Sequence, residues 1–444
     1  MTSLPIVAIV GRPNVGKSTF FNAIIGRRIS IVKDTPGVTR DRIYGDSSWN
    51  GRSFTLIDTG GIDTVSEDII LSQMRAQAQL AIDMADVILF FVDAKDGLLN
   101  QDMEIANMLR LAKKPIILVV NKADHERLAQ NAYEYYALGL GDPIAISSTN
   151  LLGLGDLLDE IVNNLPEIDE DNLNQGAVQV AIVGRPNVGK SSLVNKLLNQ
   201  NRVMVSDIPG TTRDAIDSLF VHENGTPYNI IDTAGIRKKR AIEDESIERY
   251  SVIRSFSAIR RADVVMLMID AQDGVTQQDA KIAGIAKNEG KATIIAVNKW
   301  DLVEKQTGTL EKFQREILEK LNFISYSPIV FISALTGQRT HTLFETIDKV
   351  YYEAGKMLPT GLLNDCIGEA QLNLQTPIIG GRRLRIYYAT QVSCFPPHFL
   401  LFVNDETLLH FSYERYLENQ LRKTFGFEGT PIRFSLRERT EENE

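Results

Sequence analysis

Short runs of consecutive apolar residues recur along the chain, separated by stretches in which apolar positions return at helical spacing. In the first third, Ile6–Val10, Phe54–Asp58, Asp86–Asp93 and Pro115–Asn121 read as strands. Their apolar residues do not alternate with polar ones, which is the mark of strands covered on both faces of a parallel sheet. Candidate helices lie between them, near Lys17–Ile25, Glu67–Met84 and Gln101–Ala112. Strand–helix alternation predicts an α/β domain. Even the longest runs, such as Asp86–Asp93 and Ala262–Asp270, fall far short of the roughly 20 apolar residues that span a bilayer. No membrane partner is expected.

The same pattern returns once. "GRPNVGKS" stands at Gly11–Ser18 and again at Gly184–Ser191, an offset of 173 residues. "TPGVTRD" at Thr35–Asp41 matches "IPGTTRD" at Ile208–Asp214, and "LIDTGGI" around Asp58 matches "IIDTAGI" around Asp232. "NKAD" at Asn121–Asp124 matches "NKWD" at Asn298–Asp301, and "AISST" at Ala145 matches "FISAL" at Phe331. The offset grows stepwise to 186, as loop insertions would produce. The motifs keep one order, so this is a domain duplication with a domain-sized period. The expected organisation is a first α/β domain over 4–166, a short acidic linker over 167–176 (within "PEIDEDNLNQG", Pro166–Gly176), a second α/β domain over 177–354, and a smaller domain over 355–440.

That last segment has no third copy of the loop. "RRLRIYYATQ" and "PPHFLLFVND" read as strands, "SYERYLENQLRKTFGF" as a helix ending near Gly426, and "TPIRFSLRER" as a final strand. The result is a small α+β domain. From Gly355 to Thr440 it carries ten Lys/Arg against eight Asp/Glu, whereas the 444-residue chain has a net charge of −9. The chain is no polycation, so any contact with nucleic acid needs a local patch, and DNA is not an expected partner. Two cysteines, Cys366 and Cys394, are too few for a disulfide framework and suit a reducing compartment. The N-terminus lacks the basic start of a secretory signal, and a cytoplasmic protein is expected.

The repeated motifs carry a coherent chemistry. G-x-x-x-x-G-K-S, directly after a strand and opening a helix, is a phosphate loop. Gly11 and Gly16, like Gly184 and Gly189, let the backbone wrap an anion closely. The N–H groups from Val15 through Lys17, Ser18 and Thr19, and from Val188 through Lys190, Ser191 and Ser192, supply donors at a helix start. Lys17 and Lys190 should reach the β- and γ-phosphates, and the Ser18 and Ser191 hydroxyls should reach Mg²⁺. Asp58 and Asp232 end strands and are expected on the metal, while Gly61 and Gly235 offer an N–H to the γ-phosphate. Thr39 and Thr212 lie in Gly/Pro-bounded loops; a hydroxyl there joins the Mg²⁺ shell only when a third phosphate is present, which makes each loop a candidate switch. The Asp124 and Asp301 carboxylates can each accept two N–H bonds from the guanine edge, which adenine cannot offer. Asn121 and Asn298 complete the base contacts, Lys122 and Lys299 lie along the ring, and Ser147 and Ser333 sit where a loop could close over it.

With these five motifs in order, twice, and a small domain after them, the chain resembles the Der (EngA) family, bacterial ribosome-assembly GTPases with two G domains and a KH-like domain. The resemblance covers nearly the whole chain. It implies two tandem P-loop GTPase domains plus a C-terminal α+β KH-like domain, hydrolysis of GTP to GDP with Mg²⁺, and work on the large (50S) ribosomal subunit and its rRNA as a monomer. Ras-like enzymes carry a glutamine after D-x-x-G to orient water; here Ile62 and Ile236 stand there. In related GTPases a phosphate-loop asparagine holds K⁺ beside the phosphates, so Asn14 and Asn187 join Lys17, Thr39, Lys190 and Thr212 as expected catalytic residues. Arg237–Arg240 ("RKKR") reads either as a solvated charged loop or as a switch segment meeting RNA or the C-terminal domain. The glycines Gly380 and Gly381 are adjacent, so the G-x-x-G clamp of a KH domain is absent, though Arg382, Arg383 and Arg385 could still meet phosphate. A GTP-gated protein-interaction hub without direct RNA contact is the competing reading.

Overall fold

In a computed structural model the structure describes residues 4–25, 44–59, 67–166, 176–200, 202–203, 217–222, 225–232, 246–379 and 381–438. The linker 167–175, the loops holding Thr39 and Thr212, Gly61 and Gly235 after the D-x-x, and Arg237–Arg240 lie outside the described residues. The chain divides into two compact units, the first holding the N-terminal repeat and the second holding the other repeat with the C-terminal domain.

The first unit is built on strands β1 (Ile6–Gly11), β2 (Tyr44–Trp49), β3 (Arg52–Asp58), β4 (Val87–Asp93), β5 (Ile116–Asn121) and β6 (Ile144–Ala145), in the sheet order β2-β3-β1-β4-β5-β6. Helices α1 (Lys17–Ile25), α2 (Glu67–Met84), α3 (Asn100–Arg110), α4 (Glu126–Gln130) and α5 (Leu154–Asn164) connect or follow them. Strands β1 and β4 are buried along their whole length, as their continuous apolar runs require. β2 is antiparallel to β3 and was not expected; its residues YGDSSW carry little apolar signal because it is an edge strand. The other pairings are parallel, so the ends of β1, β3 and β5 open on one edge of the sheet, where ligands of open α/β folds bind.

The second unit repeats this plan. Strands β7 (Val178–Val183), β8 (Arg202–Val203), β9 (Ser218–Val221), β10 (Pro227–Ile231), β11 (Val264–Asp270), β12 (Ala292–Asn298) and β13 (Ile329–Phe331) form the sheet β13-β12-β11-β7-β10-β9-β8. Its helices are α6 (Lys190–Gln200), α7 (Ser246–Arg261), α8 (Gln277–Asn288), α9 (Thr309–Lys320) and α10 (His341–Gly355).

The C-terminal domain starts with helix α11 (Thr360–Asn373), which the sequence reading missed. Its buried residues Leu363, Ile367 and Ala370 are spaced for one helix face, but Gly361 and Gly368 weaken the pattern. A short hairpin, β14 (Ile378–Ile379) and β15 (Arg382–Arg383), precedes β16 (Ile386–Ser393), β17 (His398–Val403), α12 (Phe411–Phe425) and β18 (Arg433–Glu438). β17 lies between an antiparallel β16 and a parallel β18. Both helices pack on one sheet face, around Ala389, Phe399, Leu401 and Leu417.

This domain docks on the second repeat at the starts of its strands. The Thr293 N–H donates to the Gly429 carbonyl (2.6 Å), and the Gly429 N–H donates to the Tyr326 carbonyl (2.8 Å). Gly429 has φ +77°, and a Cβ there would strike Val350. The Arg422 guanidinium sits 4.3 Å from the Tyr326 ring centroid, and the Lys356 ammonium bonds both Glu353 (2.7 Å) and the Phe425 carbonyl (2.8 Å). The nucleotide motif Asn298 stands at the other end of β12.

Candidate functional site

Each phosphate loop leaves its central strand and turns into a helix within six residues. Gly11 and Gly184 have φ +154° and +145°; Gly16 and Gly189 have φ +90° and +98°. A Cβ on Gly16 would collide with the Asn121 amide, and one on Gly189 with the Asn298 amide. Only glycine lets the loop and the N-K-x-D segment approach this closely. Asn14 and Asn187 both take φ +64°, the left-handed conformation asparagine tolerates, and both side chains are exposed.

Lys17 curls back across its loop, with Nζ 2.7 Å from the Gly11 carbonyl and 2.5 Å from the Arg12 carbonyl. Lys190 repeats this on Gly184 (2.5 Å) and Arg185 (2.7 Å). Burial of the Lys17 ammonium lowers its pKa to about 8; Asp58 pulls it back up, and Arg12 pushes it further down. The Ser18 hydroxyl donates to Asp58 Oδ2 at 2.7 Å, so the hydroxyl and carboxylate expected on a metal already converge. Hard oxygen donors in that number suit Mg²⁺, which binds through one or two protein groups and takes its remaining ligands from phosphate and water. Among the described residues no cluster of three or more His, Cys, Asp or Glu could hold a metal by itself. The glycine cradle, the lysine and this oxygen pair fit Mg²⁺ with a nucleoside triphosphate. Asp232 directly follows β10 in a turn with φ +59°.

The N-K-x-D residues expected to read the base are tied to the phosphate loop. Asn121 Nδ2 donates to the Val15 carbonyl (2.8 Å), while its Oδ1 accepts from the Ser148 N–H (3.0 Å) and hydroxyl (2.9 Å). Asn298 Nδ2 donates to the Val188 carbonyl (2.7 Å) and its Oδ1 accepts from the Ala334 N–H (2.8 Å). Lys122 and Lys299, with φ +64° and +63°, each pair with the aspartate ending the neighbouring strand, Asp93 and Asp270, at 2.5 Å. Ser147 donates to Asp124 Oδ1 at 2.7 Å.

The two copies then differ. Asp124 also receives the Lys95 ammonium at 2.6 Å, and the Lys95 and Ser147 hydrogen bonds hold its carboxyl below the usual range. Gln272 stands where Lys95 does, and among the described residues the Asp301 side chain forms no hydrogen bond. Ser333 accepts from the Thr336 N–H (3.1 Å).

A layer beneath the loops escaped the sequence reading. Buried Arg12 donates from Nε to Asp102 (3.0 Å), and fully buried Asp102 caps the start of α3 through the Leu99 N–H (3.2 Å). Burial pushes the Asp102 carboxyl up, and Arg12 draws it down. In the second copy Arg185 reaches Asp273 at 2.8 Å and lies 3.7 Å from Asp279, which caps α8 through Thr276. The signal was present: Arg12 and Arg185 match, and Asp102 and Asp279 keep the 177-residue offset of the "NKxD" motifs.

Comparison with known proteins agrees with this geometry. The family described as 50S ribosome-binding GTPase matches residues 6–122 and again 179–299. The family described as the C-terminal KH-domain-like region of EngA bacterial GTPase enzymes matches 357–437. The chain is 58% identical over 439 residues to GTPase Der of Acetivibrio thermocellus, covering 99% of each chain. It is 57% identical over 442 residues to GTPase Der of Ruminiclostridium cellulolyticum, again covering 99% of each. Among the described residues no helix is long and apolar enough to cross a membrane. With two phosphate loops built alike and a KH-like domain behind them, and with that identity running from end to end, the chain belongs to the Der (EngA) family and is a GTPase.

Proposed function

We propose that this GTPase acts on the large ribosomal subunit during its assembly, with nucleotide state controlling its attachment. The observation that carries the reading is the pairing of two phosphate loops, each tied to its N-K-x-D asparagine, with a KH-like domain, in a chain whose repeats match a family described as 50S ribosome-binding. On this reading the G domains span 4–166 and 177–354, with the KH-like domain over 355–440.

On this reading each motif residue has a role. The loop N–H groups of Gly16 to Thr19 and Gly189 to Ser192 bind the phosphates, and Lys17 and Lys190 swing from their carbonyl partners onto the β- and γ-oxygens. Ser18, Thr39 and Asp58 would hold Mg²⁺ in the first site, and Ser191, Thr212 and Asp232 in the second, where it would supply charge neutralisation at those oxygens. Gly61 and Gly235 donate to the γ-phosphate. Asp124 and Asp301 accept the guanine N–H pair, with Asn121, Lys122 and Ser147, or Asn298, Lys299 and Ser333, closing around the base. Since Ile62 and Ile236 cannot orient water, Asn14 and Asn187 would hold K⁺ beside the phosphates, where positive charge would stabilise the transition state.

Sedimentation of ribosomal particles with tagged protein tests the proposal, in GDP and in a non-hydrolysable GTP analogue, beside Lys17→Ala and Lys190→Ala. Analogue-dependent migration with the large subunit, lost in at least one variant, is expected. Absence of the protein from every particle in every state refutes it; binding that survives RNase with no salt dependence favours a protein partner.

A further inference from the structure

The C-terminal sheet presents its helices with one face and solvent with the other. The open face is set by register: Tyr388 pairs with Phe402, which pairs with Arg437, so the three form one row across all three strands. The Tyr388 and Phe402 ring centroids lie 5.8 Å apart. Tyr388 is 46% exposed, a large value for an aromatic residue in a strand, and Arg437 is exposed with no ion-pair partner among the described residues. The register shift between Ile386 and Tyr388 also leaves Tyr387 44% exposed beside the row. The register continues this face through Thr390, Leu400 and Ser435 to His398 and Arg433, with Val392 47% exposed beside them, and none of these residues is acidic. Such a face is complementary to a polyanion, although the chain as a whole is acidic.

We propose that this open face is a stacking platform for single-stranded RNA, with Tyr388 and Phe402 receiving bases and Arg437 the backbone phosphate. It rests on the ribosomal reading above for the source of the RNA. An aromatic pair flanked by arginine on an exposed sheet is the chemistry that holds unpaired bases; paired bases keep their faces hidden in the stack. The row ends in a guanidinium with no ion-pair partner among the described residues, and the next row sets the Thr390 and Ser435 hydroxyls on either side of Leu400; a cation beside paired rings suits a charged strand with stacking bases better than the charge-depleted centre of a protein interface. The opposite end of the face is bounded, since Arg433 donates to the Asn288 carbonyl (2.5 Å) of the second G domain, so RNA enters from the Arg437 end.

The test is fluorescence anisotropy of a labelled eight-nucleotide A/U RNA with the full-length protein, beside the same sequence as a duplex. The single strand should bind more tightly than the duplex. Tyr388→Ala should weaken it about tenfold, Tyr388→Phe should leave it unchanged, and Arg437→Gln should weaken it and reduce the salt slope by about 0.7. GTP turnover of all three should match the wild type, since none touches a G site. Wild-type affinity in both Tyr388→Ala and Arg437→Gln overturns the platform, as does equal binding of the duplex. Loss of a concentration-dependent dimer in Tyr388→Ala without change in RNA affinity overturns it in favour of a second copy of the chain. Particle sedimentation separates the two proposals. Wild-type protein on the large subunit with no oligonucleotide binding refutes the platform alone; oligonucleotide binding that needs Tyr388, with no ribosomal attachment, refutes the ribosomal reading alone.

Discussion

Truncating the two base-site asparagines should cost different amounts, and the difference is set by one hydroxyl. Asn121 is 1% exposed and makes three hydrogen bonds: to the Val15 carbonyl and from the Ser148 N–H and hydroxyl. Asn298 makes two, because Ala334 stands where Ser148 does. Each buried group left without a partner costs about 1–3 kcal/mol. Taking low-to-middle values because the bonds share one side chain, Asn121→Ala should destabilise the first domain by about 4 kcal/mol and Asn298→Ala the second by about 3 kcal/mol. The chain's two tryptophans, Trp49 and Trp300, fall one in each G domain, so each domain can be read separately. Urea unfolding by tryptophan fluorescence, in a Trp300→Phe background for the first domain and Trp49→Phe for the second, gives the two values. With a urea slope of about 2 kcal/mol per molar, the midpoints should fall by about 2 M and 1.5 M. Guanine nucleotide affinity should fall at the altered site alone, since each asparagine also braces its own phosphate loop. An Asn298→Ala cost equal to or larger than that of Asn121→Ala, or costs below about 1 kcal/mol in both, would refute the hydrogen-bond account.

Burial makes the Lys17 ammonium a liability whose sign is definite. Its pKa is lowered to about 8 in the folded chain against 10.5 for a free lysine side chain, so between those values the unfolded chain holds more proton. First-domain stability should therefore rise with pH through that window, by about 3 kcal/mol in total, and a Lys17→Met chain should lack the rise in the same urea assay. Lys95→Ala should weaken guanine binding only at the first site, because it removes the ammonium that fixes the orientation of the Asp124 carboxylate and the second copy has Gln272 there; equal loss at both sites by labelled-GDP titration would exclude this. GTP turnover should be about tenfold faster in potassium than in sodium buffer, and combined Asn14→Ala and Asn187→Ala should abolish the difference in a phosphate-release assay. Gly429→Ala should loosen the C-terminal domain from the second G domain, since its Cβ strikes Val350 at φ +77°; faster hydrogen exchange at Thr293 and Gly429 would register it.

The phosphate loops were legible in the sequence because their work is local. Eight consecutive residues hold the glycines, the lysine and the serine, and neither copy needs a distant residue to be recognised. The strands β1, β4, β11 and β12 were legible for a related reason, as burial on both faces leaves an uninterrupted apolar run. Duplication then made each weak motif strong, since a D-x-x-G or N-K-x-D that recurs in order is not a chance turn. Edge strand β2 and helix α11 were not legible, one because solvent accepts its polar residues and the other because two glycines dilute its apolar stripe.

Tertiary structure decided what depends on residues far apart in the chain. Arg12 meets Asp102 across 90 residues, and Asn121 meets Val15 across 106, each because parallel strands bring loop ends to one edge. The asymmetry between Asp124 and Asp301 is carried by a residue 29 positions away whose reach only coordinates reveal. The row of Tyr388, Phe402 and Arg437 depends on register, and the shift after Ile386 moves every later side chain of that strand relative to its partner. Local sequence determined which chemistry each segment carries; strand pairing and register determined which of those segments act together.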